Sequence, residues 1–281
     1  MHASELRYPC CAQDDDARQP QLDTAAGCRL TERFAQDAEQ CSSDPMMIVA
    51  SQMNPREQLL EAQAAARDGR HEEALGKLIW FHDHALDYDP SLYGVRLSFA
   101  LRDWIKLADA FPPALEALEA INRQKTSALL AGDCNRALFH DVASINRAMG
   151  RTSETVVVFK ALSTTAPDFA AQCVSIAQPA LLDAEEHALL RRFVRDPTSR
   201  LEKLGSRLNE DVAFAHQAES DEVRKPMLDA FMHNYAYEVA GILSMLARTG
   251  DASLADELRT RFLATIEDSV AREEIAARLV R

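Results

Sequence analysis

Glycine and proline are scarce. The chain has nine glycines and 11 prolines in 281 residues, about 7% where ~12% is average. So few turn-makers argue against a fold of many short strands. Strand-forming runs are scarce too, and the single β-branched run is "TVVVF" at 155–159. Nothing else in the sequence offers it a partner. Positive charge is in deficit, 31 basic against 44 acidic residues for a net charge of −13. That argues against nucleic acid and anionic lipid as partners, since both need a positive patch. No apolar run approaches the ~20 residues of a membrane span. The start lacks a basic residue followed by an apolar stretch and carries Asp14, Asp15 and Asp16. No secretory signal is therefore expected, and the cytoplasm is the expected compartment.

Chemical signatures are missing as well. None of the six cysteines forms a C-x-x-C pair; Cys10, Cys11, Cys28 and Cys41 lie near the start, and Cys134 and Cys173 stand alone. Free thiols are the expectation, rather than a disulfide framework or a zinc site. There is no H-E-x-x-H, G-x-S-x-G, G-x-x-x-x-G-K-[ST] or G-x-G-x-x-G. No catalytic residue, metal or cofactor is expected. Cys134 follows Asp133, whose charge opposes formation of a thiolate.

Alanine, leucine, arginine and acids abound, and most of them favour helix. Residues 1–52 read differently, with four basic and nine acidic side chains, four cysteines and poor periodicity. They are expected to be a loosely ordered tail, with the natural start at Met53 or nearby. Asn54 followed by Pro55 suits a helix cap and first position. From there to 281 the chain reads as one helical domain, with a subdivision near 180–200 as an option.

Three stretches share a pattern: "AARDGRHEEAL" around Gly69, "RAMGRTSETVV" around Gly150 and "ARTGDASLADEL" around Gly250. A helix ends at a glycine able to take the left-handed conformation, and polar residues open the next helix. This position predicts helix for "TVVVF". Apolar stripes at Leu97, Leu101, Trp104, Ala108 and Phe111, and at Leu138, Val142, Ile145 and Met149, predict further helices. Pro167 and Pro179 are expected to bracket a short helix, and Pro226 to start a long one. The total is about a dozen.

The spacing resembles the tetratricopeptide repeat, a ~34-residue helix–turn–helix unit. Ala74 and Ala255 fill the small position after the turn glycine, Phe159 the aromatic position and Pro167 the closing proline. Thr155, Arg259 and the absence of the usual tryptophan and first-helix tyrosine are departures. The resemblance implies an all-α fold, an irregular right-handed α-solenoid of stacked antiparallel hairpins. Its concave surface would take a peptide or partner helix. The expected role is a non-enzymatic interaction or scaffold module whose partner is another protein or peptide. A regulatory subunit that works as a homo-oligomer is the third reading, and it requires an apolar face left exposed on 226–249.

The stretch from Leu78 to Trp104 holds both tryptophans, two histidines and three aspartates ahead of Pro90. Candidate binding residues are Trp80, His84, Tyr88, Tyr93 and Arg96. His82 and His84 are two apart and face nearly opposite ways on a helix, so they do not chelate. Arg96 sits among apolar neighbours. It is expected to pair with Asp83, Asp87 or Asp89 across the Pro90 corner, with Gly94 admitting another helix. The alternative function is an enzyme or small-molecule binder with a pocket here, using His84, Tyr88 and Arg96. His140–Asp141 reads as a solvated face, and His233–Tyr237 as a packing pair.

Overall fold

A computed structural model describes residues 54–280. The expected tail and natural start therefore lie outside the described residues. Every regular element among the described residues is helical, 13 α-helices and one 3-10 turn. They form two compact units, 54–107 and 108–280.

The first unit opens as its sequence predicts. In α1 (Pro55–Arg67), Asn54 caps the helix by accepting from the Arg56 amide, and Pro55 takes the first position. α1 packs along α2 (His71–Tyr88). Ala62, Ala65 and Ala74 are at most 1% exposed, so small side chains let the two helices approach closely. α2 stops at Asp89, whose side chain accepts from the Ser91 amide and caps the 3-10 turn Pro90–Leu92. The short α3 (Tyr93–Arg96) and α4 (Phe99–Ala110) follow. Leu92, Leu97, Leu101 and Trp104 are buried there with Leu78 and Phe81 of α2.

The second unit contains α5 (Pro112–Leu130), α6 (Arg136–Ala148), α7 (Thr152–Thr165), α8 (Pro167–Asp183) and α9 (His187–Phe193). It continues with α10 (Pro197–Ala215), α11 (Asp221–Arg248), α12 (Ala252–Thr265) and α13 (Ser269–Leu279). "TVVVF" lies inside α7, as its hairpin position predicts. Val156, Val158 and Phe159 are buried and Val157 faces out. Two prolines expected to mark helix boundaries lie inside helices instead. α8 runs on through Pro179, and α11 begins at Asp221, ahead of Pro226. Each proline removes one N–H from the ladder. The carbonyls so released belong to Ser175 and Glu222, both exposed, where water can satisfy them.

One turn recurs. The links 68–70, 149–151, 184–186 and 249–251 are each three residues long. The middle residue is left-handed in every case: Gly69 at φ 78°, Gly150 at 70°, Gly250 at 96° and Glu185 at 55°. In the first, Arg70 N–H donates to the Ala65 carbonyl at 2.9 Å and Gly69 N–H to that of Ala66 at 3.3 Å. Arg151 to Asn146, Glu186 to Leu181 and Asp251 to Leu246 repeat the long bond at 2.7, 2.8 and 2.9 Å. This is the Schellman closure of a helix C-terminus. Gly132 closes α5 in the same way within a longer link.

Two helical glycines play opposite parts. A Cβ on Gly241 of α11 would stand 2.4 Å from Leu182 Cδ1 and 2.9 Å from Gln178 Nε2. Gln178 is 2% exposed and donates to the Glu238 carbonyl at 3.1 Å, so it cannot yield without losing that bond. Gly76 of α2 has nothing within 4 Å and faces water. Gly76→Ala is expected to raise the unfolding free energy by ~0.5–1 kcal/mol through helix propensity. Gly241→Ala is expected to lower it by ~1–3 kcal/mol through overpacking. Denaturant midpoints of the two variants would move in opposite directions.

Candidate functional site

Three of the five candidate residues come together on one side of α2. The ring of Trp80 lies 5.7 Å from that of His84 and 5.6 Å from that of Tyr88, with tilts of 42° and 44°. Successive steps of four residues bring them to neighbouring positions on the helix. Tyr88 is 46% exposed. His84 Nδ1 is 3.3 Å from Asp87 Oδ2, with both side chains more than half exposed. The result is an aromatic cluster at the surface.

Arg96 lies elsewhere. It is 5% exposed, and its Nη1 donates to the His82 carbonyl at 3.2 Å and lies 3.4 Å from His82 Nε2. Tyr93 stays with it, its ring 5.9 Å beneath the guanidinium carbon. His82 meets Trp104 edge-on at 6.2 Å. His82 is about 200° around α2 from Trp80, so Arg96 and Tyr93 do not join the aromatic cluster. The aspartates expected to clasp Arg96 at the Pro90 corner are placed otherwise. Asp83 is exposed, Asp87 faces His84, and Asp89 takes Ser91 and Arg56, the latter at 3.4 Å. Hydrogen bonds from Ser91, aided by Arg56, hold the Asp89 carboxyl below its ordinary range against the effect of burial. Gly94 admits no helix; among the described residues nothing comes within 4 Å of its Cβ position.

A polar seam in the second unit escaped the sequence reading. Three side-chain links join α5 to α6 and the turn after it. Arg151 pairs with Glu119, Asn122 donates to Asn146 at 2.7 Å, and Lys125 donates to Asp141 at 2.6 Å. Numbers rise on one helix as they fall on the other, which marks antiparallel packing. Asn146 is 1% exposed and also donates to Thr155 Oγ1 of α7 at 3.1 Å. That bond is a use for threonine where the repeat pattern places a small residue. Asp141 is buried, which corrects the expectation of a solvated His140–Asp141 face. The signal was available in the sequence: Asp141 and Asn146 fall among the inward positions of α6.

Other titratable groups serve packing. Cys173 is buried and its thiol is pushed up to about 12 by that burial, so it is a poor nucleophile. Cys134 is exposed, one residue ahead of the Asn135 cap of α6. His233 and Tyr237 are both exposed, contrary to the packing expectation. The Tyr235 hydroxyl donates to Asp211 at 2.6 Å. Burial first, and that bond second, push Tyr235 well above the ordinary range, while burial also raises Asp211. A folded-state phenol that holds its proton more tightly than the unfolded one contributes stability below pH ~10 and loses it as pH rises further. Beside a smaller burial-driven delay at Tyr237, phenolate absorbance is expected to show the Tyr235 phenol un-ionised at pH ~11 in the native chain. Tyr235→Phe should remove that late ionisation.

A depression of about 200 Å³ between α10 and α12 is lined by Leu201, Leu258 and Phe262. The Arg261–Glu202 ion pair, at 2.8 Å, joins residues of its lining. Among the described residues no three metal-binding side chains gather, and no helix is long and apolar enough to cross a membrane. What defines the described residues is an all-helical fold with short hairpin turns and a surface aromatic cluster. No known protein family, curated protein or solved structure matches the chain.

Proposed function

We propose that the chain is a non-enzymatic interaction module. In this reading it is a degenerate tetratricopeptide-like solenoid that takes a segment of a partner protein against α2. The observation that carries the reading is the Trp80–His84–Tyr88 cluster. Aromatic rings that touch one another at the surface offer a partner large contact area at small entropic cost. The turn geometry supports the repeat resemblance. α7 and α9 begin 35 residues apart, at Thr152 and His187, each after the same left-handed turn, close to the ~34-residue repeat. The pocket alternative loses support because its polar groups diverge, with His84 and Tyr88 on one side of α2 and Arg96 on the other. The homo-oligomer reading needs an open apolar face on α11. The exposed positions there are mostly polar, Lys225, Asp229, His233, Asn234 and Ser244 among them.

Affinity capture by the full chain, with mass spectrometry of what is retained, tests the reading. One stoichiometric protein is expected with the native chain, and its loss with Trp80→Ala/Tyr88→Ala. A co-purifying metabolite indifferent to both substitutions would overturn the proposal.

A further inference from the structure

The aromatic cluster stands among carboxylates: Asp83 and Asp87 are exposed on the same helix, with a ring nitrogen of His84 3.3 Å from Asp87. From Leu78 to Val95 the sequence has three aspartates, Asp83, Asp87 and Asp89, and no lysine or arginine. The cations that flank this stretch are committed elsewhere. Lys77 donates to Glu61 at 2.7 Å, and Arg96 is buried against His82. Arg56 reaches Asp89, beyond the helix end. At ~100° per residue, Asp83 and Asp87 fall within about 60° of Trp80 around α2, and both are exposed. Ring faces and carboxylates therefore share one strip of surface.

Resting on the interaction reading above, we infer that the occupant of this strip is a cationic segment of a partner protein. Its arginine or lysine heads lie on the Trp80 and Tyr88 rings and reach Asp83 and Asp87. Ring faces attract cations through their quadrupole, by ~0.5–1 kcal/mol at exposed sites and more when water is excluded. Arginine also bonds carboxylates in a planar fork. An uncharged apolar helix would bury Asp83 and Asp87 without compensation, which is costly. An acidic segment would be repelled by the same groups.

Calorimetric titration of the full chain with two synthetic octapeptides tests this, one alternating arginine with alanine and one with glutamine in place of every arginine. The arginine peptide is expected to bind saturably and the glutamine peptide at least tenfold more weakly. Asp83→Asn/Asp87→Asn should weaken arginine-peptide binding about tenfold. Glu219→Gln/Glu273→Gln, an equal charge change at exposed sites on the second unit, should leave it within twofold. Tyr88→Ala, at a half-exposed position that does not endanger folding, should weaken it severalfold. Equal losses from the two charge-removing pairs, or no binding, would overturn the inference. If the glutamine peptide binds as well and still needs Tyr88, the cationic partner falls and the interaction reading stands. If Tyr88→Ala alters neither peptide binding nor capture of a natural partner, both fall.

Discussion

Phe159→Ala is expected to cost ~3–5 kcal/mol of unfolding free energy, the largest loss of any single truncation proposed for this chain. Phe159 is fully buried on α7, its ring 6.2 Å from Phe139 of α6 and 5.3 Å from Phe193 of α9. One side chain thus joins three helices. Its removal forfeits the transfer of a phenyl group from water and leaves a void that helices fixed by short turns close poorly. Val157, two residues earlier, is 67% exposed, and Val157→Ala should change stability by no more than ~0.5 kcal/mol. Denaturant unfolding followed by circular dichroism measures both. Similar losses at 157 and 159 would contradict the helical packing of α7.

Asn146→Ala should cost about 2–4 kcal/mol by a different route. The Asn146 side chain bridges Asn122 and Thr155 in the interior. Its truncation strands the Asn122 amide and the Thr155 hydroxyl away from water, and each stranded group costs ~1–3 kcal/mol. Removing both members of a pair is milder than removing one. Asn122→Ala/Asn146→Ala should therefore destabilise less than the sum of the single changes, with a coupling of ~0.5–3 kcal/mol. Strict additivity would mean that the bond is not made in solution.

Much of this fold can be read from residue types. The Asn54–Pro55 start and the glycines at 69, 150 and 250 announce their turns because a left-handed residue is costly for anything with a Cβ. The same logic hides the turn at Glu185, where the geometry is kept without glycine. It also misplaces Pro179 and Pro226. Local propensity reads them as helix ends, but the buried residues around Pro179, among them Ala177, Gln178, Ala180 and Leu181, outweigh one lost hydrogen bond. At the candidate site, the four-residue spacing of Trp80, His84 and Tyr88 forecasts their cluster. The orientation of Arg96 is not a local property. It depends on which side of α2 the chain presents after Pro90, and that is decided by the packing of Leu92 and Leu97.

The three-residue turns carry a consequence for how such a sequence can diverge. Each link is just long enough to reverse the chain, and one extra residue in a helix beside it would swing every inward side chain by ~100°. Descendants of this sequence would accept exchanged letters at Arg70 or Thr249 far more readily than an added or deleted one. Length would drift instead in the stretch 216–220, which joins α10 to α11 without any such closure.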